Sequence, residues 1–575
     1  MNEKYLYKRL KQKVIFEKAF VYAIYDRIKN DPFCNFFEIK FYRDQKENLY
    51  NEIYSIIEEP DKFQHSVCFS YYLPKENLCF RRYIYTPFKE LVLRYMLIIV
   101  MVELTECGLS ERCFSARVAS PDNGDKCLLE PYSNLWNKFV DWQEKILSSQ
   151  EKVDDIEASQ KENIVKQKGY QILVNTDISS FYDTVSHDYL IQLIINEFDI
   201  TEDCNFIKLL KKLLQFRVTG YSFIDGKLFI SNFLQGLIIG NSIEAYLANL
   251  YLKDLDEALE NSGAEFGRYV DDIKVFVRDI TDATHYIQII QEFLFTKGLN
   301  LNTAKTKIFY KKEKMIEYIQ KSRILGYANE EIEEEKKVQI KTNVKFPIDK
   351  KMDESDKYLG NDYNIDSEIS NEEDAVIWAE YLNKKLSPKH IKDLNLTIKQ
   401  IKKLRDIIRK FPKLCKRCAW LTVKFCFFEY HNSIQKSAYE EMIGILEDNE
   451  INSWVKARIL HHLISPKRGS LSYIKRLKVN PYQMERMSLV LEKLASYPAI
   501  ELQINTLYAI YETLESKREI TDVVKRFIPK PISLPIIDII SQLTETDFSD
   551  HKLPVFEDLI SEISEEAEFG EENYY

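Results

Sequence analysis

Short runs of β-branched and aromatic residues bounded by polar positions, Gln171 to Asn175 and Arg268 to Val277, predict strands. They alternate with helical three- and four-residue spacing up to about Tyr327, a pattern that predicts an α+β domain over residues 1–328. The most apolar stretch, Leu91 to Leu104, contains Arg94 and Glu103 and falls short of the ~20 apolar residues that span a bilayer. It predicts a buried helix, and no membrane partner is expected. From residue 329 to 374 the pattern gives way to charge, with Glu330-Glu331-Ile332-Glu333-Glu334-Glu335-Lys336-Lys337 and Ser370-Asn371-Glu372-Glu373-Asp374 flanking a Lys-rich segment, as in a surface insertion or linker. Beyond it, Val376 to Phe527 carries Leu, Ile, Tyr and Phe at helical spacing, punctuated by Pro412, Pro466, Pro481 and Pro498. Residues 375–543 are therefore expected to form an all-α domain. No fixed period recurs, so a helical-repeat arrangement rests only on the succession of short helices. Residues 544–575 read as an acidic, solvated tail.

At 575 residues the chain needs more than one core, and its 45% hydrophobic and 30% charged residues exclude collagen-like and wholly disordered classes. Eighty Lys and Arg against 90 Asp and Glu leave a net charge of -10, so any polynucleotide must be held locally, not by a basic surface. Ten cysteines fall into no repeating framework and fit the reduced thiols of a cytosol. Met1 to Lys13 is basic and lacks the apolar core of a secretory signal, so a cytoplasmic location is expected.

The sharpest chemical signal is Arg268-Tyr269-Val270-Asp271-Asp272-Ile273-Lys274-Val275-Phe276, an acidic pair between two strand-like runs. Adjacent carboxylates repel and raise each other's pKa, a cost that divalent cations can neutralise. A third carboxylate, Asp177, ends the apolar run Ile172-Leu173-Val174-Asn175-Thr176 about ninety residues upstream. One carboxylate at a strand end and a Tyr-x-Asp-Asp hairpin form the set that two-metal phosphoryl transfer requires.

On these two motifs the chain resembles the reverse transcriptases, over roughly its first three-fifths. The resemblance implies an α+β fingers-palm domain followed by the all-α C-terminal domain. It also implies two Mg²⁺, with Mn²⁺ as a substitute, held by Asp177, Asp271, Asp272 and the backbone carbonyl of Ile178. Gln235-Gly236-Leu237-Ile238-Ile239-Gly240-Asn241-Ser242 is similar to the family's glycine loop on the nucleotide side, which makes Gln235 a candidate contact. Gly298 to Lys307 resembles the next palm block, whose lysine approaches the triphosphate, and Lys305 is the candidate. Arg323-Ile324-Leu325-Gly326-Tyr327 is similar to the primer-gripping hairpin that closes the palm. Leu73-Pro74-Lys75 and Arg81-Arg82-Tyr83-Ile84 resemble the fingers, with Lys75 and Arg82 able to clamp phosphates. Phe181-Tyr182 occupies the family's sugar-gate position, where Tyr182 would collide with a 2′-hydroxyl and select dNTPs.

The chain departs from the family in its glycine loop, where Leu237-Ile238-Ile239 stands in place of the usual prolines. The helical C-terminal region and Cys113-Phe114-Ser115-Ala116-Arg117 look more like the unknown-group, abortive-infection reverse transcriptases of bacterial antiphage defence. For such relatives the resemblance implies trimeric or hexameric homo-oligomers and template-independent DNA synthesis, with the DNA product attached to a protein hydroxyl. Tyr574 and Tyr575 are candidate priming residues. Templated synthesis on a bound noncoding RNA, and an idle nucleotide- or RNA-binding scaffold that recruits an effector, stay open as alternatives.

Other residues favour blander roles. Asp183 is expected to cap the helix beginning near Val185 or His187. Cys415, Cys418, Cys426 and His431 have partial zinc spacing but no turn glycines, which favours buried helical thiols. Arg458 and His462 invite comparison with HEPN ribonucleases, yet without a nucleophile they favour a helical core.

Overall fold

The computed structural model describes residues 3–29, 35–63, 68–74, 80–119, 127–159, 170–221, 228–232, 235–328, 369–385, 398–426, 432–464, 481–495 and 499–514. The chain divides into two compact units, Met1–Asp31 with Tyr50–Asn395 and Pro32–Leu49 with Leu396–Tyr575. Lys75, His431, Tyr574 and Tyr575 lie outside the described residues.

The first unit is α+β, with two four-stranded sheets. One has the order β2-β1-β4-β5, formed by β1 (Cys68–Pro74), β2 (Phe80–Tyr85), β4 (Arg217–Tyr221) and β5 (Leu228–Asn232). The second has the order β6-β7-β3-β8, formed by β3 (Ile172–Asp177), β6 (Glu265–Tyr269), β7 (Asp272–Val277) and β8 (Lys307–Phe309). Both strand-like runs of the sequence lie in this second sheet. The arrangement is antiparallel throughout except for the β1–β4 pair.

Helix Phe88–Thr105 is buried over almost its whole surface, as its apolar run predicts. Its one arginine, Arg94, is accommodated by a buried ion pair with Glu244 at 2.6 Å. No helix among the described residues is long and apolar enough to cross a membrane. Helix Tyr132–Ser159 packs Val140, Ile146 and Leu147 against Leu173 and Phe276 of the sheet and Met315 and Ile319 of a later helix.

That later helix, Lys312–Ala328, contains Arg323 to Tyr327, so the expected hairpin is instead a helical turn. Met315 and Ile319 stand four residues apart and bury one face, and that spacing decides the period. Arg323 then points to the neighbouring helix, paired with Asp141 at 2.6 Å and Glu144 at 3.0 Å.

In the second unit every described element is a helix: Phe36–Asp44, Ile398–Lys410, Cys415–Cys426, Asn432–Glu447, Ser453–Ile464, Pro481–Ala495 and Ile500–Leu514, with a short 3₁₀ turn at Pro412–Leu414. Asn35 caps the first of them, its side chain accepting the Glu38 N–H. Phe36 and Phe37 meet Tyr508 at ring distances of 5.3 and 4.9 Å. Helix Ser453–Ile464 is buried on all sides, so Arg458 and His462 are core residues. Cys418 and Cys426 are buried thiols. Burial pushes the Cys426 thiol upward, and its Sγ donates to the Thr422 carbonyl at 3.4 Å.

Candidate active site

The antiparallel register of β3 against β7 sets Asp177 directly opposite Asp272. Strand alternation puts Asn175 and Lys274 on the same face, one step further along each strand. Between β6 and β7 the chain reverses at Val270 and Asp271, and the Ile178 N–H donates to the Asp271 carbonyl at 3.2 Å. Asp177, Ile178, Asp271 and Asp272 are thereby gathered at one end of the sheet.

Asp177 is held from the side by the loop before β8. The Asn302 backbone N–H donates to the Asp177 carbonyl at 2.7 Å and its side-chain amide to the carboxylate at 3.2 Å. Lys305 Nζ donates to the other carboxylate oxygen at 2.8 Å. The candidate triphosphate lysine thus lies on the carboxylates.

Burial, then the charges of Asp177 and Asp272, pushes the Asp271 carboxyl up to about 6. Burial also raises Asp272, with Lys274 opposing it and Asp177 adding to it. Among the described residues no three carboxylate, histidine or cysteine side chains are already gathered around one point. Even so, two carboxyls pushed up by burial beside a third, Asp177, that is paired with an ammonium are the donor chemistry that hard divalent cations take.

Two residues of the hairpin motif to which the sequence assigns no role, Lys274 and Arg268, support the carboxylates. Lys274 is fully buried, its Nζ 3.9 Å from Asp272 and otherwise facing the rings of Phe139 at 4.8 Å, Tyr318 at 5.1 Å and Trp136 at 5.7 Å. Burial pushes its pKa down, because an ammonium there has lost its water. Arg268 is also buried, with Nε and Nη2 donating to Asp256 at 2.7 and 2.5 Å. Its Nη1 reaches the Val270 carbonyl at 3.1 Å and Asn249 Oδ1 at 3.2 Å. In sequence, Lys274 is an ordinary polar alternate of a strand. Its only signal is its position two residues from Asp272 on the same face.

The glycine loop packs between the segment Tyr182 to Val185 and strand β2. Gly236 has φ +92° and donates to the Val185 carbonyl at 2.7 Å, and a Cβ there would meet the Tyr182 carbonyl at 2.8 Å. Gly240 has φ +143°, and a Cβ there would meet the Ile84 carbonyl at 2.7 Å. Neither position admits a side chain. Between them Leu237 and Ile238 are buried, Ile238 in a cluster with Cys68, Ile84, Phe216 and Val218. The apolar residues that depart from the family pattern therefore anchor the loop. Gln235 is exposed at its start.

Of the aromatic pair, Phe181 is buried and Tyr182 half-buried. Burial and then the Asp271 charge raise the Tyr182 hydroxyl. Arg82 donates to Asp183 at 3.3 Å. The expectation that Asp183 caps the next helix is corrected: Ser186 immediately precedes His187–Phe198, and its side chain accepts the Tyr189 N–H at 3.3 Å. A cap must directly adjoin the first helical turn, which Asp183 does not.

Residues 125–353 match the family model described as "Reverse transcriptase (RNA-dependent DNA polymerase)". Residues 125–353 thus carry a reverse transcriptase domain, of a kind that generally uses divalent metal ions, usually Mg²⁺. No curated protein matches the chain. Among solved structures it is similar to telomerase from Candida albicans in complex with a fragment of telomeric RNA, at 13% identity and TM-score 0.32, covering 66% of this chain and 64% of that one. It is also similar to apo telomerase from Candida tropicalis, at 10% identity and TM-score 0.32, covering 67% and 65% of the two chains. The chain spans less than two thirds of the length of each.

Proposed function

We propose that this chain is a DNA polymerase that transfers nucleotides from dNTPs to a growing 3′-hydroxyl, with Asp177, Asp271 and Asp272 as its catalytic carboxylates. The observation that carries it is the register of β3 against β7, which sets Asp177 opposite Asp272 with Asp271 at the adjoining turn. When bound, Mg²⁺, or Mn²⁺ in its place, supplies neutralisation of the attacking and leaving oxygens. Asp177, Asp271, Asp272 and the Ile178 carbonyl would hold it. Lys305 releases Asp177 and turns its ammonium to the triphosphate. Tyr182 packs beside the sugar and discriminates against a 2′-hydroxyl. Arg82, Lys75 and Gln235 complete the nucleotide contacts. Gly236 and Gly240, where no side chain fits, keep the loop close beneath that site.

In its fuller form the proposal makes the chain an antiphage protein of the bacterial abortive-infection type, a homo-oligomer synthesising DNA without a template from a protein hydroxyl such as Tyr574 or Tyr575. The resemblance in Cys113 to Arg117 and the acidic net charge of -10 support it, since a grip on a long duplex favours basic charge. The test is to incubate nuclease-treated protein with Mg²⁺ and each labelled dNTP separately and to resolve products before and after proteinase digestion. Label that migrates with protein until digestion supports protein-primed, template-free synthesis. Activity that appears only on adding RNA template and primer replaces it with templated synthesis. Incorporation that survives Asp271→Asn with Asp272→Asn overturns the polymerase proposal itself.

A further inference from the structure

The segment Arg112 to Ala116 runs along the outer edge of β6. The Arg268 N–H donates to the Arg112 carbonyl at 2.9 Å, and the Phe114 N–H donates to the Arg268 carbonyl at 2.8 Å. This pairing delivers Ser115, 1% exposed, to the tip of the β6–β7 hairpin. Ser115 Oγ accepts the Val270 N–H at 2.9 Å and donates to Asn249 Oδ1 at 2.9 Å. Asn249 in turn donates from its amide to the Ser115 carbonyl at 2.5 Å.

Val270 has φ +56°, a left-handed conformation that β-branched residues strongly disfavour. Both polar groups of its backbone are held by side chains, the N–H by Ser115 and the carbonyl by Arg268 at 3.1 Å. Strain of this kind persists only where the surroundings over-determine it. The next two residues are Asp271 and Asp272, so the direction in which they leave the turn depends on that clamp.

We infer that Ser115 is a positioning residue for the catalytic carboxylates: its hydroxyl holds Val270 in the left-handed turn that presents Asp271 and Asp272 to Asp177. The inference rests on the polymerase proposal for those three residues. Ser115 touches neither nucleotide nor metal and acts through the backbone of the tip.

The test uses the full chain and Mn²⁺ as probe, with bound ion measured by electron paramagnetic resonance, beside Mg²⁺-dependent nucleotide incorporation. Ser115→Ala is expected to weaken Mn²⁺ binding about tenfold, the lower range for loss of a group that orients a metal ligand. The half-saturating Mg²⁺ for incorporation rises in parallel. Val270→Gly in the Ser115→Ala background is expected to restore about threefold or more, because glycine takes positive φ without a clamp. A purely structural serine predicts a lower melting temperature with Mn²⁺ affinity unchanged and no rescue by glycine, and that pattern overturns the inference. Should Ser115→Ala fail to fold, the double variant is expected to fold and bind Mn²⁺, and its failure to do so also overturns it. Parent protein that binds Mn²⁺ through Asp271 yet incorporates no nucleotide overturns the polymerase proposal instead, and the Mn²⁺ comparison still reads the role of Ser115.

Discussion

Replacing Arg268 by methionine tests the support beneath the hairpin. Arg268 and Asp256 have side chains 1% exposed, and the guanidinium spans both carboxylate oxygens. Arg268→Met leaves Asp256 buried without its partner, a change that costs about 3–5 kcal/mol. Total stabilities run to ~5–15 kcal/mol, so the loss is a large fraction. With an unfolding entropy of ~2.1 cal/mol/K per residue over roughly 300 ordered residues, the sheet-bearing unit should melt about 5–8 °C lower. Burial pushes the Asp256 carboxyl up and Arg268 opposes that push. The variant loses the largest opposing charge and keeps only the weaker one of Arg117. A raised folded-state pKa gives stability that is present at low pH and lost as pH rises through it, so the deficit should grow as pH rises above the ordinary carboxylate range. Adding Asp256→Leu removes the stranded charge and should recover at least half of the loss. Nucleotide incorporation should not recover with it, because the Val270 carbonyl still lacks its donor. Thermal melts of parent, single and double variants across pH provide the assay. A single variant within about 1 kcal/mol of the parent, or a double variant no more stable than the single, would refute the reasoning.

Lys274→Met should push the Asp272 carboxyl further up, because Lys274 is the largest charge that opposes its burial, and a pH dependence of Mg²⁺ affinity unmoved in the variant would count against it. Gly267→Ala should cost about 1–3 kcal/mol, because the new Cβ would lie 2.6 Å from the Trp142 ring, itself wedged against Phe139 and Phe276. An unchanged tryptophan emission and melting point would contradict that contact. Mg²⁺ affinity should fall as pH drops through about 6, where the Asp271 carboxyl takes up a proton in competition with the ion. Metal-free stability should move the other way, highest below the ordinary carboxylate range and lost as pH rises through about 6. Asp271→Asn should flatten both, as read by calorimetric titration and by melting.

Strands β3, β6 and β7 were legible because they are buried on both sides and their sequences are apolar runs ended by charge, at Asp177 and at Asp271-Asp272. The convergence of those aspartates was legible for the same reason, since a carboxylate that ends a buried strand has few other purposes. Arg323 to Tyr327 was not, because Ile324-Leu325 suits either period and only the burial of Met315 and Ile319 favours a helix. Lys274 escaped notice because alternation marks it as solvent-facing, and only helices Tyr132–Ser159 and Lys312–Ala328, from distant parts of the chain, cover that face. The Arg268–Asp256 pair and the Ser115 clamp likewise depend on tertiary contacts that no local pattern encodes.

The helix Phe36–Asp44 belongs to the all-helical unit, although the chain on both sides of Pro32–Leu49 belongs to the other. During synthesis Phe36 and Phe37 leave the ribosome long before Tyr508, the ring they pack against, exists. At ~5–20 residues per second the interval is about 25–95 s, during which an apolar helix waits without its partner. The helical unit cannot close until nearly the whole chain is made, whereas every strand of both sheets is available by Phe309. The order of translation thus lets the sheet that carries Asp177, Asp271 and Asp272 form first. A stop codon before Tyr508 would leave Phe36 and Phe37 without the ring they pack against.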